Sequence, residues 1–173
     1  MYRAEANIED CKYILDNLRA EDKIEVETTL GKDWKELTLQ ALEKSGFPYL
    51  LAKTKENDTP VLIAGAWPTE KNNPSVATVW LLSTPEIEKH QICFLKEMKK
   101  ELEEYDKNFG LIYNQIYKTN HIAKKWLKWA GFRFPAEERK KTIIDREFLK
   151  YNTPKDFEFF YREREIQGLM KGQ

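Results

Sequence analysis

The hydrophobic residues of this chain recur with two different spacings, and these spacings predict its helices and strands. Over 7–18 and 33–44 apolar side chains return every three or four residues, as in helices that bury one face. Between 47 and 83 they form short runs separated by Asn, Asp and Pro, which is typical of strands joined by turns. The first half therefore predicts two helices and an antiparallel meander with strands at 47–53, 61–67 and 76–83.

The second half predicts the longest helix and then a strand–helix–strand unit. Ser83-Thr84-Pro85-Glu86 has the hydroxyl, proline and acidic residues that favour a helix start, and the apolar stripe then continues to Tyr105. A strand at 110–116 leads to a helix capped by Thr119 and Asn120 and ended by Gly131. Further elements are predicted as strands at 2–4, 132–134 and 157–161, a helix near 142–151 and a surface loop over 19–28. Helices around a largely antiparallel sheet give the fold class α+β.

Composition narrows the class of protein. The 173 residues fit one domain over 1–162, followed by a flexible tail at 163–173. Lys+Arg and Asp+Glu both number 29, so no overall charge attracts the chain to nucleic acid or to a membrane. No apolar run is long enough to insert into a membrane and no signal peptide is evident, so we expect a cytoplasmic protein. Cys11 and Cys93 fall on apolar helix faces, which predicts buried, reduced thiols rather than a disulfide.

One motif has a specific order. Asn120, Ala123, Gly131 and Phe132 follow the spacing N-x2-A-x7-G-F directly after a predicted strand. This motif, with the order of elements, resembles the Gcn5-related N-acetyltransferases, the GNAT superfamily, and the resemblance in topology covers almost the whole chain. The ending WLKWAGFRF resembles a set of tailed-phage proteins that share the GNAT-like fold, among them internal virion protein A of short-tailed phages.

The resemblance implies a mixed, mostly antiparallel sheet and a site for acetyl-CoA. In the family the strand that matches 76–83 pairs its backbone with the pantetheine arm, which places Trp80, Leu81 and Leu82 at that position, with Ser83 after them. The same three residues would also suit a buried central strand without a ligand. Asn120 matches a position that lines the cofactor cleft, although its role as a helix cap explains it without any ligand. Lys124 completes the set of candidate cofactor-binding residues.

Two departures from the family pattern concern the chemistry. The loop after the central strand has no glycine, Pro85 lacks an N–H, and Glu86 and Glu88 place negative charge where the family binds the pyrophosphate. The tyrosine that often protonates the departing thiolate is replaced by Leu127, which cannot transfer a proton.

A general base is equally hard to find in the sequence. His121 is the better candidate and His90 the weaker, while a histidine at a helix start is more often a surface residue.

Two functions therefore stay open. The first is acetyl transfer from CoA to an amine, and the second is a GNAT-fold protein without chemistry that contacts virion or host proteins, in the host cytoplasm or the virion. No cysteine or histidine spacing suits a metal, so no metal cofactor is expected. The lysines near Trp126 and Trp129 could suggest a nucleic-acid-binding surface. Helical spacing, however, places Ile122, Trp126 and Trp129 on one stripe opposite the lysines. We therefore expect a helix whose apolar stripe is buried in the core and whose lysines face solvent.

Overall fold

The computed structural model describes residues 1–45, 50–70, 73–146 and 154–164. Its strands are β1 Tyr2–Ala4, β2 Leu50–Lys53, β3 Pro60–Glu70, β4 Asn73–Ser83, β5 Leu111–Tyr117 and β6 Phe157–Glu163. Its α-helices are α1 Ile8–Asp16, α2 Ala20–Leu30, α3 Trp34–Lys44, α4 Gln91–Asn108, α5 His121–Trp129 and α6 Glu137–Arg146, and a 3-10 helix at Pro85–His90 precedes α4.

The six strands form one sheet in which spatial order equals chain order, β1-β2-β3-β4-β5-β6. Every pair of neighbours is antiparallel except β4 and β5, which are parallel. This mixed, mostly antiparallel sheet flanked by helices confirms the predicted α+β class.

The two faces of the sheet carry separate cores because side chains alternate along each strand. On one face Ile14 of α1 and Leu42 of α3 pack against Ile63 and Leu82, and Ile143 of α6 joins a neighbouring cluster over β5 and β6. On the other face Phe94 and Leu102 of α4 pack over the remaining side of the strands. Helices therefore cover both faces, and α2 and α5 lie where β4 and β5 end.

Several local predictions are confirmed. The side chain of Asn7 accepts a hydrogen bond from the N–H of Asp10 and caps α1. Asn120 caps α5 in the same way through the N–H of Ala123. Gly131 ends α5 with a φ of 84°, where a side chain is strained and where a Cβ would also stand 3.0 Å from the guanidinium of Arg162.

Other predictions are wrong for identifiable reasons. Residues 19–28 are not a loop but most of α2, a helix whose stripe is too polar to recognise by apolar spacing. The 132–134 strand is reduced to one isolated bridge, Arg133 with Tyr161, because β6 already pairs with β5 along its length. Cys93 is exposed, whereas Cys11 is buried and burial raises the pKa of its thiol to about 11.

Further corrections concern where two helices begin and where the last strand ends. The predicted long helix does not start at Pro85, because the first six residues form a 3-10 turn before α4. α6 begins at Glu137, earlier than the predicted 142, and the end of that prediction lies outside the described residues, as do Gly46 and residues 47–49. β6 runs to Glu163, and the N–H of Arg164 donates to the carbonyl of Gly110 at 2.9 Å.

Candidate functional site

β4 and β5 separate part-way along their length and leave a fork between them. The parallel ladder joins Val76 with Leu111, Ala77 with Ile112 and Thr78 with Tyr113, and then stops. Both strands continue, β4 to Ser83 and β5 to Tyr117. The backbone edges beyond Thr78 and Tyr113 thus face a gap rather than each other.

Alternate residues of β4 direct their backbone groups into this fork. The carbonyl of Ser75 accepts from the N–H of Gly110 at 2.7 Å, and that of Val79 accepts from the Asn114 side chain at 2.6 Å. In a strand the backbone N–H and C=O groups of every second residue point to the same side. The backbone groups of Leu81 and Ser83 therefore face the gap, as those of Val79 do. The β4–β5 ladder ends before Leu81, and no other described residue hydrogen-bonds the N–H or C=O of Leu81 on this side.

The predicted cofactor residues of β4 therefore divide into two groups. Trp80 and Leu82 direct their backbone toward β3, and their side chains pack with α1 and α3. Leu81 presents its backbone to the fork, while its side chain packs near Phe94 on the other face. Only Leu81 among the three combines a fork-facing backbone with free hydrogen-bonding capacity toward the gap.

At the end of β4, the start of α2 closes the fork. The N–H of Arg19 donates to the carbonyl of Ser83 at 2.9 Å, and Asp22 accepts from the N–H and the hydroxyl of Ser83 at 2.9 and 2.8 Å. Asp22 also pairs with the Arg19 guanidinium at 2.6 Å, and both side chains are about 3% exposed. Although burial opposes the charged form, the hydrogen bond and charge of Asp22 raise the pKa of Arg19. Ser83, predicted to bind the cofactor, thus has its backbone engaged within the chain.

On the β5 side the fork holds a carboxylate of unusual basicity. Glu25, one turn after Asp22 on α2, accepts from the N–H of Tyr117 at 3.2 Å and from the side chain of Asn120 at 3.1 Å, both through Oε1. Oε2 takes no hydrogen bond from the described residues. Burial is the largest influence and raises the pKa of Glu25 to about 7. The hydrogen bond from Asn120 opposes this rise, the charge of Asp22 adds to it, and Tyr117 and Arg19 oppose it more weakly.

Asn120 and His121 start α5 but play different parts. Asn120 is buried, caps the helix with Oδ1 and holds Glu25 with Nδ2, so one side chain joins the helix to the carboxylate. His121 is exposed and follows the cap. Its contact at 2.8 Å is made by its backbone N–H to Thr119, and the structure gives its ring no partner in the described part of the chain. His90, the weaker candidate, lies 3.6 Å from Glu86 in the 3-10 helix.

The cationic candidates around the fork are mostly engaged elsewhere. Lys124 is ion-paired with Glu158 and lies 5.5 Å from the Phe134 ring. Lys89 is 2.9 Å from Glu86, and this hydrogen bond lowers the pKa of Glu86. Leu127, at the position of the family tyrosine, packs against the core below α5.

Sequence reasoning missed Arg19, Asp22 and Glu25 because their segment was assigned to a loop. A signal was present: the three polar residues are spaced by three, which places them along one side of a helix. What the sequence could not give was the distance to Ser83 and Asn120, which are 61 and 95 residues away from their partners.

Neither a metal-binding group nor a membrane-spanning helix is found among the described residues. They contain no group of three or more His, Cys, Asp or Glu side chains placed to hold a metal ion. In the same part of the chain, every helix is too short or too polar to cross a lipid bilayer.

Comparison with known proteins gives a consistent result for the fold. No protein-family model and no curated protein matches the sequence. Solved structures do match over nearly the whole chain. A GNAT-family acetyltransferase from Bacillus anthracis matches with a TM-score of 0.62 and 10% identity, covering 94% of each chain.

Two further solved structures have informative descriptions. One is a chimeric spermidine N-acetyltransferase that combines the Vibrio cholerae protein with hSSAT. It matches with a TM-score of 0.62 and 13% identity, covering 94% of this chain and 95% of that one. The yncA protein of Salmonella typhimurium, solved with its cofactor acetyl-CoA, has a TM-score of 0.57 and 13% identity, covering 99% and 98%. At these identities the likeness concerns architecture. The chain therefore has the GNAT acyltransferase fold, with the fork between β4 and β5 as its candidate functional site.

Proposed function

We propose that this protein is an acyl-CoA-dependent N-acyltransferase in which Glu25 is the general base. The observation that carries the proposal is the pKa of about 7 at a carboxylate beside the fork whose Oε2 takes no hydrogen bond from the residues that the structure describes. A base with a pKa near neutrality is available in its ionised form and strong enough to accept a proton from an ammonium group. Glu25 thereby supplies the function that neither histidine is placed to supply.

The fork supplies the other requirement, a surface for the pantetheine arm. The free N–H and C=O of Leu81 match an amide-bearing chain that adds to a strand edge, as in other cases of strand addition. Both groups lie on a strand whose neighbours Val79 and Ser83 are already bonded within the protein. Leu81 is thus the backbone position we assign to the acyl-CoA arm.

The residues then divide the reaction as follows. Glu25 takes one proton from the acceptor ammonium, and the neutral amine nitrogen attacks the acyl carbon. The carbon–sulfur bond then breaks and the thiolate leaves. Leu127 cannot protonate the thiolate, so water supplies that proton, and the hydroxide that remains takes the second proton from the attacking nitrogen to leave a neutral amide. Asn120 keeps Oε1 of Glu25 in place and so leaves Oε2 for the acceptor.

The acceptor class is an amine. Structural neighbours include a spermidine N-acetyltransferase and a ribosomal-protein-alanine N-acetyltransferase, so a polyamine and a peptide with an N-terminal alanine are the first acceptors to test. A cytoplasmic location is part of this proposal.

A second candidate is the GNAT-fold protein that acts by contact in a phage virion or on a host protein. The closure of Ser83 by Arg19 and Asp22 favours it, because those bonds occupy backbone groups that a pantetheine arm would use. The acidic turn after β4, which has no glycine, also favours this second candidate, because its carboxylates would repel the phosphates of CoA.

Calorimetric titration with acetyl-CoA and with CoA distinguishes the two candidate functions by whether the protein binds these ligands. The enzyme requires saturable binding in the micromolar range, whereas the absence of binding at millimolar CoA would exclude it and leave the contact function.

Thiol release with the two acceptors then tests Glu25. Glu25→Gln should lower kcat/KM by about 100-fold or more, since it keeps the hydrogen bonds but removes the base. The wild-type rate should rise with pH through an inflection near 7 that the variant lacks. Glu27→Gln, on the exposed side of α2, is the matched control and should behave as wild type. A Glu25→Gln enzyme with the wild-type rate and inflection would remove Glu25 from the mechanism.

A further inference from the structure

Positive charge is concentrated in one part of this electrically neutral chain. Residues 107–136 contain six Lys or Arg and no Asp or Glu, although the whole chain has 29 of each kind. Elsewhere some helical lysines pair with an acid one turn away, for example Lys12 with Glu9 at 3.0 Å and Lys100 with Glu97 at 2.7 Å. The basic segment has no acid of its own, and its paired lysines, Lys107 and Lys124, use Glu104 and Glu158 outside it. α5 lies at the centre of this segment.

The exposed side of α5, which we call the α5 outer face, consists of Ile122, Lys125, Lys128 and Trp129. The sequence placed Ile122 and Trp129 in the core, and that prediction is wrong: their side chains are 44% and 56% exposed. Lys125 is exposed and forms no ion pair with any described residue, and Lys128 lies 5.6 Å from the Phe134 ring. An exposed indole beside two lysines that form no ion pair with a described residue is a surface that suits a flat, anionic ligand.

This surface adjoins the fork. The Arg19 guanidinium lies 5.6 Å from the centroid of the Trp126 ring, and the Arg19 N–H bonds Ser83 at the end of β4. Trp129 follows Trp126 by three residues, about 4.5 Å further along the helix axis. A ligand held at Leu81 therefore leaves the fork beside the Arg19 side chain rather than through the bonded end at Ser83, and it meets α5 first at Trp126 and then at its outer face.

The opposite side of the same exit carries negative charge. Glu86 and Glu88 lie in the 3-10 turn directly after β4, and only Glu86 is matched by Lys89 among the described residues. A phosphate at this exit is repelled on the side of the turn and attracted on the side of α5.

We propose that the α5 outer face binds the nucleotide end of acyl-CoA, an adenosine with a 3′-phosphate and a 5′-diphosphate. The Trp129 indole stacks on the purine, and Lys125 and Lys128 pair with the phosphates. This arrangement replaces the missing glycine loop by side chains of a neighbouring helix. It rests on the proposed function, since it takes acyl-CoA as the ligand of the fork.

Calorimetric titrations with three probes test the proposal: acetyl-CoA, adenosine 3′,5′-bisphosphate and acetyl-pantetheine, which lacks the nucleotide. Trp129→Ala and Lys125→Glu should each weaken binding of acetyl-CoA and of the bisphosphate by about 10-fold and leave acetyl-pantetheine unchanged. Affinity for the bisphosphate should fall as salt rises. Lys99→Glu, an exposed lysine on α4, is the control and should leave all three affinities unchanged. Because Trp129 is exposed, its loss should not unfold the protein, which a thermal melt verifies.

The outcomes separate this proposal from the enzyme assignment. If acetyl-CoA and acetyl-pantetheine are both turned over while the two variants bind acetyl-CoA as wild type does, the nucleotide site is refuted and the enzyme stands. If the bisphosphate binds through Trp129 but no amine releases thiol from acetyl-CoA, the site stands and the enzyme does not. Binding of a ten-residue oligothymidylate through Trp129, without binding of the bisphosphate, would instead assign the face to single-stranded nucleic acid and refute the proposal.

Discussion

Asp22 and Glu25 are two carboxylates one turn apart on α2, and they stand in opposite situations. Asp22 is bonded to β4 and receives donors from Ser83 and a guanidinium from Arg19. Glu25 is bonded to β5 and, among the described residues, receives two donors, both neutral, from Tyr117 and Asn120. Burial has a different consequence for each, because within this part of the chain only Asp22 of the two has a cation at hydrogen-bonding distance. A compensated carboxylate holds two elements together, whereas an uncompensated one is ready to take up a proton.

The largest effect on stability is expected when Asp22, the carboxylate with a cationic partner, is removed. Asp22→Ala leaves the Arg19 guanidinium buried without its partner and Ser83 without its acceptor, so we expect a loss of about 3–5 kcal/mol in the free energy of unfolding. Urea denaturation measures it. Glu27→Ala, on the exposed side of the same helix, should change stability by less than about 0.5 kcal/mol. A loss below about 1 kcal/mol for Asp22→Ala would show that the pair does not secure α2 to β4.

A smaller effect is expected from the neutral donor of Glu25. Asn120→Ala removes the cap of α5 and one hydrogen bond to Glu25, which should cost about 1–2 kcal/mol at pH 8. Asn120→Asp keeps a capping oxygen but sets a second carboxylate beside Glu25, and so should raise the pKa of Glu25 further.

The two Asn120 variants should therefore differ with pH. At pH 8 both are destabilised, and at pH 5.5, where Glu25 is protonated, Asn120→Asp should recover more stability than Asn120→Ala. Denaturation curves at the two pH values decide the matter, and parallel behaviour of the variants would contradict a contact between residue 120 and Glu25.

The smallest expected effect is the change in stability that pH causes through Glu25. The folded pKa of Glu25 is about 7 and its ordinary value is 4.5, so between these values the folded state binds more protons than the unfolded state. The stability that Glu25 contributes is complete below pH 4.5 and is lost as pH rises toward 7. Allowing for the partial exposure of Glu25, the loss is about 1–2 kcal/mol.

Glu25→Gln provides the measurement because it does not titrate. The difference in unfolding free energy between the variant and wild type should grow in favour of the variant from pH 5 to pH 8. A difference that does not change with pH would mean that Glu25 ionises normally in the folded protein.

The sequence predicted the architecture better than it predicted the site, and α2 explains the contrast. Strands and the helices with apolar stripes follow from spacing, and Asn7, Asn120 and Gly131 mark helix ends by local chemistry. α2 buries Asp22 rather than an apolar stripe, so the spacing of apolar residues gave no indication of it, and only the three-residue spacing of its polar residues did. The site depends on contacts between α2 and distant strands, and nothing local in the sequence specifies them. The cofactor-binding roles assigned to Trp80, Leu81, Leu82, Ser83, Asn120 and Lys124 stay predictions, as does the resemblance to phage virion proteins.

The order of strands in the sheet has a consequence for how the protein is made. Since each strand pairs with the one before it, β1 to β4 and their helices can assemble while the ribosome is still producing the remainder. The contacts of Glu25 cannot, because Tyr117 and Asn120 are synthesised 92 and 95 residues later. Until β5 emerges, Glu25 lacks both donors and α2 lacks a strand that it contacts in the folded protein. A nascent chain arrested before residue 117 would thus carry Glu25 without the partners that hold its carboxylate beside the fork.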